Sequence, residues 1–302
     1  MNGRSAAARL DAVTAPAAAP ASAPISDLSA RRTRARRQRQ LTVLGLRVLT
    51  AVIVLGAWEL STRYAPTYVD PFFWGQPSGI WHQLVVWVTE GTALGPLWEQ
   101  VVVTMEEAVL GFFVGTVSGV VIGVLLGRNR LLADVFSIYI KAANAIPRVV
   151  LGALFAISLG LDLRSKIATA AVLVFFVVFF NAFQGVREVE RNLIANARIL
   201  GADDRKVTTE VIIPSALSWI MASFHISFGL ALVGAVVGEL FGATQGMGEL
   251  IYSAEHNFNA NGVFAGMLLL AAMALVAEAI ITALENRLVK WRPPAVGSEV
   301  QI

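Results

Sequence analysis

Few residues in this chain are placed for covalent chemistry. The three histidines, His82, His225 and His256, lie on separate stretches, so no H-E-x-x-H pair sets two imidazoles on one helical face to hold a metal. No G-x-S-x-G turn exposes a serine nucleophile, no G-x-x-x-x-G-K-[ST] loop cradles nucleotide phosphates, and cysteine is absent. Neither a catalytic residue nor a metal ligand is assigned. What the sequence offers instead is polar groups inside apolar stretches: Asn144, Asn181, Gln184, His225, Ser227, Glu239 and Glu278. A charge at the centre of a bilayer costs about 2.5–3.5 kcal/mol on insertion scales. Such groups therefore either bond between helices or line a polar path, and their chemistry is recognition and passage.

Asn144, Asn181, His225, Ser227 and Glu239 are the path candidates. For Asn181 and Ser227 the plainer role is hydrogen bonding between helices. His225 suits an inner gate or an anion-facing position, Glu239 suits the outer mouth or the interface, and Glu278 lies deeper, where it would pair with a neighbouring helix. Lys141 and Arg148 either bias the inner half towards anions or snorkel to headgroups.

The elements that must carry these groups are membrane spans. The chain has 302 residues, 56% hydrophobic and 15% charged, with mean hydropathy +0.65. Soluble chains carry roughly a quarter charged residues. Since about 20 apolar residues cross the hydrocarbon core, six spans are predicted: 43–61, 107–126, the second half of 131–159, 167–183, 217–241 and 263–284. Pro147 removes a helix hydrogen bond within 131–159, so the first half of that stretch is expected to be interfacial and the second to cross. Residues 62–104 form a mixed segment with Pro66, Pro71, Pro77 and Gly79, in which 80–89, with Trp81 and Trp87, reads as a short interfacial helix. Gly111, Gly115, Gly119, Gly123 and Gly127 recur at every fourth position. They form a smooth ridge for close helix packing, within one protomer in preference to a subunit interface. The fold class is an all-α membrane protein with six transmembrane helices.

Charge sets the expected orientation. Residues 1–40 are expected to be a disordered basic tail: 1–30 are mostly Ala, Pro and Ser and bury too little surface to offset ordering entropy, and 31–40 read RRTRARRQRQ. Arg128, Arg130, Arg187, Arg191, Arg198, Arg205, Lys206, Arg287, Lys290 and Arg292 fall on the same side as this tail, while the opposite loops hold little beyond Arg63, Arg164 and Lys166. Cytoplasmic loops carry the basic excess, which puts both termini inside. Beside a span, the basic run points to anionic headgroups of the bilayer and not to nucleic acid.

Between the fourth and fifth spans lies a cytoplasmic polar island, 195–214, reading ANARILGADDRKVTTEVIIP. The connection 184–213 far exceeds the 2–8 residues usual between packed helices. Gly201 is expected to end a helix over 192–200 in the left-handed conformation. Asp203 is placed to N-cap a second helix over 204–211, with Asp204 in its first turn. Pro214 then opens the fifth span. Helix, corner and helix make a compact knuckle that transmits force instead of dissipating it.

The pattern A-N-A-x-x-x-G, nine residues, then V-x-I-P resembles the EAA loop of ABC importer permeases, E-A-A-x-x-x-G followed by I-x-L-P. Ala197, Gly201 and Pro214 match, Val211 and Ile213 are conservative, Ala195 replaces the Glu and Asn196 an Ala. The resemblance covers roughly 106–291 and is closest to the nitrate/sulfonate/taurine branch. It runs through Ala145-Ile146-Pro147-Arg148, GLDLRSKI at 160–167, Gly238-Glu239-Leu240-Phe241, Gly246-Met247-Gly248, and Leu284-Glu285-Asn286-Arg287 with Trp291-Arg292.

This resemblance implies a type I ABC importer permease fold in the bacterial cytoplasmic (inner) membrane. The domains would be the tail 1–40, the first span with its external segment 41–105, a permease core 106–292, and a C-terminal tail 293–302. It implies that Ala195, Asn196, Ala197, Gly201, Ala202, Asp203, Asp204, Arg205 and Pro214 form the loop gripped by ABC ATPase subunits. Two such subunits would bind ATP and Mg, this chain holding no cofactor of its own. A second copy of the permease and an external substrate-binding protein would complete the machine. The cargo would be a small organic or oxyanionic solute of the sulfonate, nitrate or taurine kind. The rival from another class is an ATP-independent secondary transporter or channel, whose usual mark is inverted repeats, and no convincing internal repeat is found.

Overall fold

The structure, a computed structural model, describes residues 25–288. Its helices in chain order are α1 (Ile25–Tyr64), α2 (Pro71–Trp74), α3 (Pro77–Thr89), α4 (Leu97–Arg128), α5 (Arg130–Ala145), α6 (Arg148–Leu159), α7 (Leu163–Arg187), α8 (Arg191–Ile199), α9 (Asp204–Lys206), a π-helical turn (Val207–Ile212), α10 (Ile213–Leu240), α11 (Met247–His256) and α12 (Ala260–Leu288). Among the described residues no strand forms, and one isolated bridge joins Thr92 to Gly95. Residues 25–40 of the expected tail lie in α1; residues 1–24, the expected tail 293–302 and the motif pair Trp291-Arg292 lie outside the described residues.

Among the described residues, five helical runs are long and apolar enough to cross a membrane: Gln38–Tyr64, Leu97–Arg128, Leu163–Arg187, Asp204–Leu240 and Ala260–Glu285. A sixth crossing is available only if α5 and α6, bent by 86° at Pro147, count as one. The expectation that the second half of 131–159 crosses by itself is corrected here. The 12 residues of α6 rise only about 18 Å at 1.5 Å each, against a core of about 30 Å. Along residues 38–57 of α1, apolar side chains such as Leu44, Val48 and Leu55 are exposed, as a helix facing lipid requires. Within the unit that begins at Trp58, Trp58 meets Phe264 edge-to-face at 5.2 Å, and Glu59 accepts from Ser78 Oγ at 2.8 Å.

Three helices form the centre. A Cβ on Gly111 would collide with Ala170, on Gly115 with Val174, on Gly119 with Val178, on Gly123 with Ala182 and on Gly127 with Val186. The ridge thus lies along α7 in constant register, and the two helices run parallel. Close backbone approach of this kind is what small residues permit between membrane helices. α10 runs antiparallel to both: Gly234 faces Ala170 and Gly185 faces Ala216, while Phe224 and Phe228 pack on Phe112 at 5.4 and 5.5 Å. α11 and α12 close over this core through Met247, Leu250, Ala265 and Met273.

α4 begins well before the expected second span at 107, taking in 97–104, assigned from sequence to the mixed external segment. Its polar residues Gln100 and Thr104 are fully buried with partners. Lys166 is a second correction. Counted from sequence as an outer-loop charge, it sits inside α7 and is buried.

Candidate functional site

The island is an elbow built by local backbone rules. Helix α8 closes with Ala202 N donating to Ala197 O and Gly201 N donating to Arg198 O, both at 3.0 Å, with Gly201 at φ 86°. These two bonds are the paired closure of a Schellman motif. Nothing lies within 4 Å of a Cβ built on Gly201, so the glycine is demanded by its conformation and not by lack of room. Asp203 has extended backbone and its Oδ1 accepts from Lys206 N at 2.7 Å, satisfying one orphan donor of the next helix. Asp204 accepts from Arg198 Nη2 at 3.0 Å across the corner, both side chains largely exposed.

The second limb departs from expectation. A separate helix over 204–211 does not form; Asp204–Leu240 is one continuous helical run. Pro214 has no N–H and its ring crowds the carbonyl four residues back. The chain widens just before it, so that Ile213 N donates to Thr208 O, five residues earlier. Thr208 and Thr209 hydroxyls donate back to Asp204 O and Arg205 O at 2.6 and 3.0 Å, a habit that bends helices. Pro214 thus shapes a π-turn inside a rod.

The elbow has two faces. Inward, Val207 and Ile212 are buried against Val124, Val186 and Ala216, with Ile194, Ala197 and Ala202 packed beside them. Burying such side chains is worth about 1.5–3 kcal/mol each, so the knuckle is fixed to the ends of α4, α7 and α10. Outward, Ala195, Asn196, Gly201, Asp203, Asp204, Arg205 and Pro214 are exposed. Ile199 and Leu200 stand at the corner with 83% and 87% of their surface free. Two large apolar side chains thus stand free on an otherwise polar tip.

The structure does not bring the path candidates together. Asn144 Oδ1 accepts from Arg148 Nη2 across the α5–α6 bend. Asn181 Nδ2 donates to Val177 O of its own helix at 2.9 Å. Ser227 is fully buried, and its hydroxyl has no partner among the described residues. His225 is held by both ring nitrogens, Nδ1 2.6 Å from Glu278 and Nε2 2.9 Å from Glu285. It therefore ties α10 to α12.

Glu239 belongs to a buried polar cluster at the end of the bundle opposite the elbow. The Thr104 hydroxyl donates to Glu239 at 2.6 Å and accepts from Met247 N at 2.7 Å. Glu239 also accepts from Gly248 N, and the Gln100 side-chain oxygen accepts from Gly246 N at 2.8 Å. A Cβ on Gly246, which has φ 115°, would strike the Glu239 carboxylate. Alongside, Lys166 Nζ lies 3.1 Å from Glu107. Sequence reasoning missed Gln100, Thr104, Glu107 and Lys166. One signal was present: Lys166 follows Glu107 by the same offset that separates Ala170 from Gly111, so the ion pair extends the glycine register by one turn.

The model of the family described as "binding-protein-dependent transport system inner membrane component" matches residues 119–290. The putative aliphatic sulfonates transport permease protein SsuC of Bacillus subtilis (strain 168) is 29% identical, covering 91% of this chain and 97% of its own length. The taurine transport system permease protein TauC of Escherichia coli (strain K12) is 27% identical over 80% of this chain and 87% of its own. Among solved structures, an inward-facing MetNI methionine ABC transporter chain superposes with TM-score 0.55 at 21% identity, covering 65% of this chain and 96% of that one.

Proposed function

The chain belongs to the family of binding-protein-dependent transport system inner membrane components, and from that premise we propose that its elbow is the handle by which a separate ATPase moves the spans. The protein is an inner-membrane permease subunit of an ABC importer with the type I fold. The observation that carries the proposal is the elbow's construction. It is wedged into the core on one side, apolar at its free corner, and continuous with a rod that reaches the far end of the bundle. Force on the corner turns α10 instead of bending a loop.

Two ATPase subunits, which hold ATP and Mg, grip two copies of this chain across the elbows, and an external binding protein delivers the cargo. The elbow then lies in the cytoplasm together with both termini. The cargo is a small organic or oxyanionic solute; the relatives named for aliphatic sulfonates and taurine favour that class. His225 does not offer a free imidazole to an anion, because two carboxylates engage it. We assign selection to the external binding protein, as the family resemblance implies. The test is affinity purification of the chain from its native membrane. A phosphate-loop ATPase in the purified particle, with substrate-stimulated hydrolysis, is the expected result. A particle that transports without any nucleotide-hydrolysing subunit would sink the proposal.

A further inference from the structure

Behind the elbow, between its inner side and the ends of α4, α5 and α7, is a cavity of about 360 Å³. Its rim carries Arg128, Arg130, Arg187 and Arg198, against one acid, Asp204, while Val186, Val207 and Ile212 line its depth. Among the described residues only Arg198 of these four has an ion-pair partner, that same Asp204 at 3.0 Å. Arg187 rests over the Phe183 ring at 5.4 Å, and Arg128 and Arg130 make no ion pair among the described residues.

Helix stability accounts for only part of this charge. Arg128 and Arg187 stand in the last turns of α4 and α7, where a cation complements the negative helix end. Arg130 is the first residue of α5, whose first turn holds no acid. There a cation faces the positive helix end and opposes it. Three arginines without a carboxylate thus converge on a cavity with an apolar floor. Guanidinium groups bind phosphate oxygens in forked pairs, and basic pockets between helices at the cytoplasmic face suit anionic headgroups.

We propose that this cavity binds a phosphate group, carried by the headgroup of an anionic phospholipid whose acyl chains lie along the apolar ends of the spans. The lipid would fill the space behind the elbow and support it against the core. The cytoplasmic location comes from the proposed function, but the binding chemistry does not depend on it.

The test uses the full transporter complex, delipidated in detergent and offered phosphatidylglycerol, phosphatidylcholine or inorganic phosphate, with bound species read by native mass spectrometry. One phosphatidylglycerol per permease chain, preferred over phosphatidylcholine on the order of tenfold, is expected. The Arg128→Gln/Arg130→Gln pair should lose that preference, and Arg128→Lys/Arg130→Lys, which keeps the charge but not the forked geometry, should retain only part of it. Arg287→Gln, outside the cavity, should change nothing. Displacement of the lipid by millimolar inorganic phosphate would assign the site to free phosphate and overturn the lipid source. Equal retention of both lipids, or an unchanged preference in a double glutamine variant that still assembles with its ATPase, would overturn the site itself. So would a double variant that loses its ATPase partner while holding lipid as before, which would make these arginines a protein contact. Labelling of a single cysteine at Asp203→Cys in native membranes reports the side separately, so a wrong orientation is not confused with a missing lipid.

Discussion

The two ends of the bundle are held by opposite means. At the elbow, the geometry comes from the backbone: a Schellman closure at Gly201, an N-cap at Asp203 and a π-turn ahead of Pro214. Most of its side chains are solvent-exposed. At the other end, side chains do the holding. Gln100, Thr104 and Glu239 are buried and bind the turn at 246–248 to α4 and α10, while the buried Lys166–Glu107 pair ties α7 to α4. A buried polar network of this kind fails as a whole when one member is lost, because the remaining groups keep their desolvation cost. An exposed corner loses only its own bond. The far end is the clamp, and the elbow is the part that can be handled.

Four substitutions test this contrast. Lys166→Ala should have the largest effect, leaving Glu107 buried without its cation and costing about 3–5 kcal/mol. A fall in detergent unfolding temperature and in the amount of inserted chain would register it, and wild-type stability would mean the cluster is not a clamp. Gly201→Trp forces a bulky residue into the left-handed region at about 1–2 kcal/mol. Here the expected outcome is a folded, inserted chain that has lost uptake and substrate-stimulated ATPase activity. Normal coupling in that variant would remove the elbow from the mechanism. Asp203→Ala deletes the N-cap, for about 1 kcal/mol, and should reduce uptake without reducing insertion. Smallest is Arg198→Ala, which breaks an exposed pair worth under about 1 kcal/mol; thermal unfolding should move by no more than a degree or two.

The same contrast explains what could be read in advance. Gly201 and Asp203 obey rules that act within a few residues, so corner and cap were legible directly. The glycine ridge was legible as a ridge because its spacing matches the helical period, and the intraprotomer packing favoured for it places α7 opposite. Lys166 was not legible as a core residue. A lysine near a run of polar residues looks like a loop charge until the partner helix is known, and its partner Glu107 lies on another span. The start of α4 was hidden for the same reason: Gln100 and Thr104 look polar and external, yet their partners in 239–248 turn them inward. The second limb of the elbow was not legible, because a proline marks a helix boundary in most sequences. With its missing donor absorbed by one wide turn, the helix runs on.

That wide turn fixes a bearing. A π-turn accommodates one residue more than an α-turn over the same rise, and each α-helical residue carries about 100° of rotation and about 1.5 Å of advance. Were Val207–Ile212 wound as ordinary α-helix, the corner bearing Ile199 and Leu200 would swing by about that angle around the axis of α10 and point somewhere else. The compass heading of the corner is therefore written in six residues, Val207–Ile212. Deleting one of them would let the stretch close as ordinary α-helix over the same rise and keep that heading, whereas adding one residue within α10 would aim the corner past its mate.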